Sequence, residues 1–294
     1  MTSAPALVFT YNRLAKTERT LNALNENDLA GDTDLFIYCD QAVQSKPDDE
    51  SAVMAVRKYL SEFAGSSRFR SVKLCFADQH RGLAASVIKG VSEVMDQYGK
   101  VIVTEDDLVS HCNYLTYMND CLERYQNDER IWSISGYSYP LGGNRDTDSV
   151  YFTYRGSSWG WGTWKDRWDT VDWEMKDYSG LPWNLKRMKS LNLAGRDLYM
   201  MLRNQKKGVI DSWAVRWVFE QTRNRRLTVY PAHSFLYNIG LDGSGTHHVG
   251  DGNDQIESLK AVPFELTEIR MSRLLLEQFA EYYRDPIFHT RQSY

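Results

Sequence analysis

Over its first 105 residues the chain alternates short apolar runs with longer segments of helical spacing, and this alternation restricts the fold more than any other feature. Ala6–Thr10, Asp34–Cys39, Val72–Phe76 and Lys100–Thr104 read as strands. Lys16–Asn25, Asp48–Phe63 and Leu83–Gln97 read as helices, the second with Asp48 as N-cap. Strand, crossover helix and next strand pack onto one sheet as right-handed parallel units. The expectation is an α/β chain with a mainly parallel sheet flanked by helices. Beyond it, a helix near Asn113–Gln126, a strand at Ile131–Ser135 and helices near Leu191–Gln205 and Ser212–Arg223 are expected. A last helix covers Leu266–Tyr283, where Ile269, Leu274, Leu275, Phe279 and Tyr282 recur at helical spacing.

The fourth strand ends in Glu105-Asp106-Asp107. Its β-branched residues, Val101, Ile102 and Val103, suit a strand covered on both faces. Open α/β sheets bind ligands outside the carboxyl ends of their strands, where these three acids fall. Massed carboxylates repel one another unless a cation offsets them. Oxygen-only donors suit hard divalent ions such as Mn²⁺ or Mg²⁺, which keep positions open for phosphate oxygens. A solvated acidic turn is the plain alternative.

Composition narrows the classes. With 294 residues, 42% hydrophobic and 25% charged, the chain is long enough for one large α/β domain. A net charge of −4 argues against nucleic-acid partners. No apolar run reaches the ~20 residues of a membrane span, and Met1-Thr2-Ser3-Ala4-Pro5 does not start a signal peptide. Cys39, Cys75, Cys112 and Cys121 lack CxxC spacing, so a reducing cytoplasm is expected. All nine tryptophans fall between Trp132 and Trp217, together with accumulating Gly and Tyr. A division follows within one compact domain: residues 1–135, where strands and helices alternate, and residues 136–294, rich in aromatic residues.

Four segments carry a family resemblance: Phe9-Thr10-Tyr11-Asn12-Arg13, Tyr38-Cys39-Asp40, His80-Arg81-Gly82-Leu83-Ala84 and the acidic triplet. Together they resemble the nucleotide-sugar glycosyltransferases of the GT-A (Rossmann-like) fold, with the triplet in the place of the DXD motif. The order is similar to that of the N-acetylglucosaminyltransferase I group. Bacterial polysaccharide glycosyltransferases share segments like Ser158–Trp164 and Asp211–Trp217. The resemblance implies a UDP-sugar donor, with UDP-GlcNAc as one option, a glycan or glycolipid acceptor, and an inverting transfer. It implies a cytoplasmic setting that extends to peripheral contact with the inner face of the membrane.

It also assigns residues. Asp107 would ligate the metal, Asp106 would contact ribose or metal-bound water, and Glu105 the sugar. Thr10, Tyr11, Arg13, Asp40, His80, Arg81 and Gly82 would bind the donor. Arg13 suits a diphosphate through its bidentate fork, and Gly82 allows close backbone approach. Each has a plain counterpart: a solvated arginine, a turn acid at Asp40, an ordinary helix start at His80. Asp211 is the general-base candidate, or merely the N-cap of the helix after it. Trp159 and Trp161 are the best sugar contacts, although most tryptophans build core. His247 or His248, in a Gly-rich loop, would add a metal ligand or a phosphate donor. A sugar nucleotidyltransferase and a non-catalytic carbohydrate-binding protein are the competing classes. The first would want a Gly-rich basic loop after the first strand, which Tyr11-Asn12-Arg13-Leu14 does not supply.

Overall fold

A computed structural model describes residues 3–141, 149–176, 178, 181, 184–240 and 260–283. In chain order the first 105 residues contain β1 (Ala6–Thr10), α1 (Leu14–Asn25), β2 (Asp34–Cys39), α2 (Asp49–Ser66), β3 (Ser71–Phe76), α3 (Leu83–Tyr98) and β4 (Lys100–Glu105). Then come β5 (Leu108–Ser110), α4 (Tyr114–Arg124), β6 (Ile131–Ser135), β7 (Tyr151–Thr153), β8 (Trp161–Trp164) and α5 (Lys165–Trp168). The rest comprises α6 (Leu185–Ala194), α7 (Leu198–Lys206), α8 (Trp213–Arg223), β9 (Leu227–Tyr230), β10 (Leu236–Asn238) and α9 (Arg273–Tyr282).

One eight-stranded sheet runs β3-β2-β1-β4-β8-β6-β9-β7. β1 to β4 are parallel, as their alternation with helices requires. β8 is antiparallel to β4 and to β6, while β6 and β9 are parallel. Hence β6 and β9 run in the sense of β1–β4, and all their carboxyl ends share one edge. β8 starts at that edge, with Trp161 level with both Val103 and Ser135.

Side-chain alternation divides the core into two layers. Ala6 and Val8 of β1 and Ile102 of β4 face α1, α2 and α4. Leu7, Phe9, Val101 and Val103 face α3, α6, α7, α8 and a tryptophan cluster. This mixed α/β layering, with helices on both faces of the sheet, is the fold class expected from the sequence.

Three expectations shift. The helix read over Leu191–Gln205 is two helices, broken at Gly195, whose φ of +133° strains any side-chain-bearing residue. The C-terminal helix starts only at Arg273, where Ser272 accepts from the Leu275 N–H. Asp48 holds the N-cap position of α2 but makes no side-chain cap bond; Asp49 beside it is the buried acid.

Candidate nucleotide and metal site

β4 delivers its acids to the carboxyl edge in a graded setting. Phe9↔Glu105 is the last pair between β1 and β4. Glu105 is half-buried, Asp106 is buried and Asp107 is partly open. The main chain here is pinned. The Thr20 hydroxyl of α1 donates to the Asp106 carbonyl at 2.9 Å, and the Ile239 N–H donates to the Asp107 carbonyl at 2.8 Å.

Their charge is met by Arg13, directly after β1. Its guanidinium bonds the Asp106 carboxylate and lies 3.0 Å from Asp107 Oδ2. Burial works against the charge on Arg13, and Asp106 and Asp107 outweigh it, so the guanidinium stays protonated. The carboxyls are not fully relieved. Burial, then Asp107 and Asp106, pushes Glu105 upward, and burial raises Asp106 despite the pull of Arg13. The second oxygen of Asp106, Oδ2, is buried without a hydrogen-bond partner. A buried carboxylate oxygen without a hydrogen-bond partner leaves lone pairs open to a cation.

The donor set fits a hard divalent ion. Among the described residues no group of three or more His, Cys, Asp or Glu side chains is placed to hold a metal ion. Mg²⁺-type sites need none, since one or two carboxylates hold the ion while phosphates and waters complete it. His247 and His248 lie outside the described residues.

The neighbouring loops build a second wall. Asp40, 8% exposed, accepts from the N–H groups of Gln41 at 2.9 Å, Arg81 at 3.0 Å and Gly82 at 2.8 Å. These bonds and His80 Nδ1, 3.2 Å away, occupy most of the carboxylate's lone-pair sites. Asp40 therefore anchors the start of α3. Gly82 there has φ +78°, a conformation glycine accepts freely. His80 Nδ1 also lies 2.8 Å from the Gln41 carbonyl, an acceptor, so that nitrogen carries the proton. The His80 ring packs 5.4 Å from the ring of Tyr11. Tyr11 donates its hydroxyl to Asp49, which also accepts from Asn12 Nδ2 at 2.6 Å and the Val43 N–H at 2.7 Å. Thr10 is buried, its hydroxyl on the Tyr38 carbonyl at 3.2 Å. Thus Tyr11, Arg13, Asp40, His80 and Arg81 gather around the edge that carries the triplet.

Asp49 and Thr20 belong to this shell and were missed from sequence. Thr17 and Thr20, both fully buried, interrupt the apolar stripe of α1 at i, i+3 spacing, which is the signal that could have found them. Gly240 was missed as well. A Cβ there would collide with Asp107 Oδ2, so the chain passes directly against that carboxylate. Gly240→Ala should therefore push Asp107 aside. If the triplet holds a divalent ion, affinity for Mn²⁺ should fall about tenfold or more, roughly one displaced charged contact, while the melting temperature barely moves. Calorimetry showing unchanged affinity would contradict it.

In the second half of the chain, Trp213 of α8 packs 4.9 Å from Trp161, which brings the start of α8 to the same edge. Asp211 is exposed and accepts from Arg216 at 2.9 Å. It does not cap α8: Ser212 does, accepting from the Val215 N–H. Trp161 is only 1% exposed and enclosed by Trp168, Trp213 and Trp217, so it is a core residue rather than a sugar contact. Trp159 is half-buried, packs on Tyr137 and lines a cavity of about 50 Å³ with Arg155 and Ala214. A wider cleft of about 500 Å³ opens between His111, Ser138 and Tyr237.

No family model matches the sequence, and a search of curated proteins finds no match. Among solved structures the chain is similar to S. aureus TarS (10% identity, TM-score 0.37), over 54% of this chain and 28% of that one. It is also similar to the mannosyltransferase PcManGT from Pyrobaculum calidifontis in complex with GDP-Man and Mn²⁺ (12% identity, TM-score 0.36), over 56% of this chain and 46% of that one. The chain thus spans less than half the length of either. The strand order and the site geometry above stand independently of these likenesses.

Proposed function

We propose that this protein is a metal-dependent glycosyltransferase that moves a sugar from a UDP-sugar to a hydroxyl of a glycan or glycolipid. The observation that carries this reading is the acidic triplet at the carboxyl end of β4, with the unpartnered Asp106 Oδ2 and Arg13 at its side. Asp107 and Asp106 would hold Mn²⁺ or Mg²⁺. Bound there, the ion supplies Lewis-acid stabilisation of the leaving diphosphate. Arg13 and Arg81 add positive charge to that diphosphate. Tyr11 and His80 offer aromatic faces for a base at the β1–β2 edge. Glu105 faces the donor sugar, and Trp159 the acceptor.

Asp211 acts as base: it takes the acceptor proton as the hydroxyl oxygen attacks the anomeric carbon and the bond to UDP breaks. Attack opposite the leaving group inverts the configuration. Arg216 orients the carboxylate from its other side. A hexosyl or N-acetylhexosaminyl transfer in bacterial surface-polysaccharide synthesis, at the cytoplasmic side of the membrane, fits this reading. No helix among the described residues is long and apolar enough to cross a membrane. The division into a donor half, 1–135, and an acceptor half, 136–294, follows from the same assignment.

Asp211→Asn tests the base. The amide keeps the size and the bond from Arg216 but cannot take the proton. The transfer rate should fall by at least ~10²-fold, with UDP affinity and melting temperature nearly constant. Near wild-type transfer would remove Asp211 from the chemistry. The function itself is tested by donor hydrolysis over UDP-, GDP- and CMP-sugars with Mn²⁺, and turnover with none of them would rule it out.

A further inference from the structure

The Arg13 seat has a consequence for the order of binding. The main chain of Arg13 is fixed, its carbonyl accepting from the Thr17 N–H and the Thr17 hydroxyl, both at 3.0 Å. The triplet is fixed too, through Thr20 and Ile239. The Arg13 side chain is therefore the movable partner of the pair. It remains 23% exposed, against 4% for Asp106 and 14% for Asp107. A divalent ion held by Asp106 and Asp107 would need the carboxylates that Arg13 now engages. A guanidinium 3.0 Å from the same Asp107 oxygen would then face like charge at close range. The two cations compete unless a second set of anionic oxygens receives the arginine.

We propose, resting on the reading above, that Arg13 is the resident counter-ion of the triplet and changes partner on donor binding. It holds Asp106 and Asp107 until a divalent ion takes them, then turns its fork to the diphosphate oxygens. The metal alone binds weakly, because Arg13 loses buried partners and gains none. The nucleotide alone also binds weakly, because Arg13 stays engaged. Together they satisfy every charge, and each strengthens the other by the same factor, as linkage requires.

The test is titration of Mn²⁺ without nucleotide, followed by electron paramagnetic resonance of the free ion, and titration of UDP with and without Mn²⁺. Wild type is compared with Arg13→Ala and Arg13→Lys. Arg13→Ala should bind Mn²⁺ alone more tightly than wild type, within the about 5- to 150-fold range of ordinary coupling. The factor by which Mn²⁺ tightens UDP should fall correspondingly. Arg13→Lys, which keeps charge without the fork, should lie between. Unchanged or weaker Mn²⁺ binding by Arg13→Ala, with wild-type Mn²⁺–UDP binding intact, overturns the exchange alone. Absence of Mn²⁺ and UDP binding in wild type overturns the function and the exchange together. Wild-type crystals with Mn²⁺ and UDP need no variant. Arg13 on the diphosphate supports the exchange, and Arg13 still on both carboxylates overturns it.

Discussion

Asp107→Ala is expected to abolish Mn²⁺-dependent sugar transfer while leaving the fold intact. Of the paired acids, Asp107 is the more open, and it faces both Arg13 and Gly240. Asp106 stays behind as a buried carboxylate with Arg13 as counter-charge. The variant therefore unpairs no buried ion, and its melting temperature should hold. Its site loses the ligand expected to carry the metal. Lewis-acid stabilisation is worth several kcal/mol; a loss of roughly 4 kcal/mol corresponds to about 10³-fold in rate. Turnover undiminished in EDTA, or a fully active Asp107→Ala, would sink the metal assignment. A variant that binds UDP–Mn²⁺ like wild type but transfers no sugar would assign Asp107 to chemistry rather than to metal.

The first half of the chain was legible because its signals are local. Val101-Ile102-Val103 needs no distant partner to read as a buried strand, and the acids that follow it fall at the sheet edge by connectivity alone. What was hidden depended on long-range contacts. Arg13 reads as a loop arginine until β1 and β4 pair and bring it onto residues some ninety positions away. Asp40 reads as a turn acid, and the fold makes it the anchor of α3 through backbone N–H groups no sequence pattern displays. The tryptophans misled in the other direction. Their crowding between Gly residues looks like a ligand wall, yet Trp132, Trp161 and Trp168 pack with Trp213 and Trp217 of α8 in one core cluster. Aromatic density alone cannot say which face of a sheet it covers, because period-2 alternation places successive residues on opposite sides.

Asp197→Ala is expected to produce the largest loss of stability in the second half of the chain. Arg155 and Asp197 are 5% and 3% exposed and bond through two parallel contacts, 2.7 and 2.9 Å. Arg155 lies in the crossover between β7 and β8, Asp197 at the start of α7. Tyr283, just past α9, covers the guanidinium, with Cζ 3.6 Å from the ring centroid. One ion pair thus joins three parts of the chain that share no hydrogen-bonded strand. Its net value over apolar substitutes is small, because both charges were taken from water. Removing one partner is a different matter. Arginine cannot shed its proton, so Asp197→Ala leaves a buried, uncompensated cation at a cost of roughly 3–5 kcal/mol. At about 2–4 °C per kcal/mol for a domain approaching this size, the melting temperature should drop by ~10 °C. Arg155→Met combined with Asp197→Leu should recover most of the loss, since it removes both charges at once. Asp197→Ala within ~1 kcal/mol of wild type in a urea melt would show that the pair is solvated. The same crossover carries Trp159 against its cavity. On the proposed function, the single variant should weaken acceptor binding while UDP–Mn²⁺ affinity stays constant, because the edge proposed for the donor is built by β1, β2 and β4 on the other side of β8.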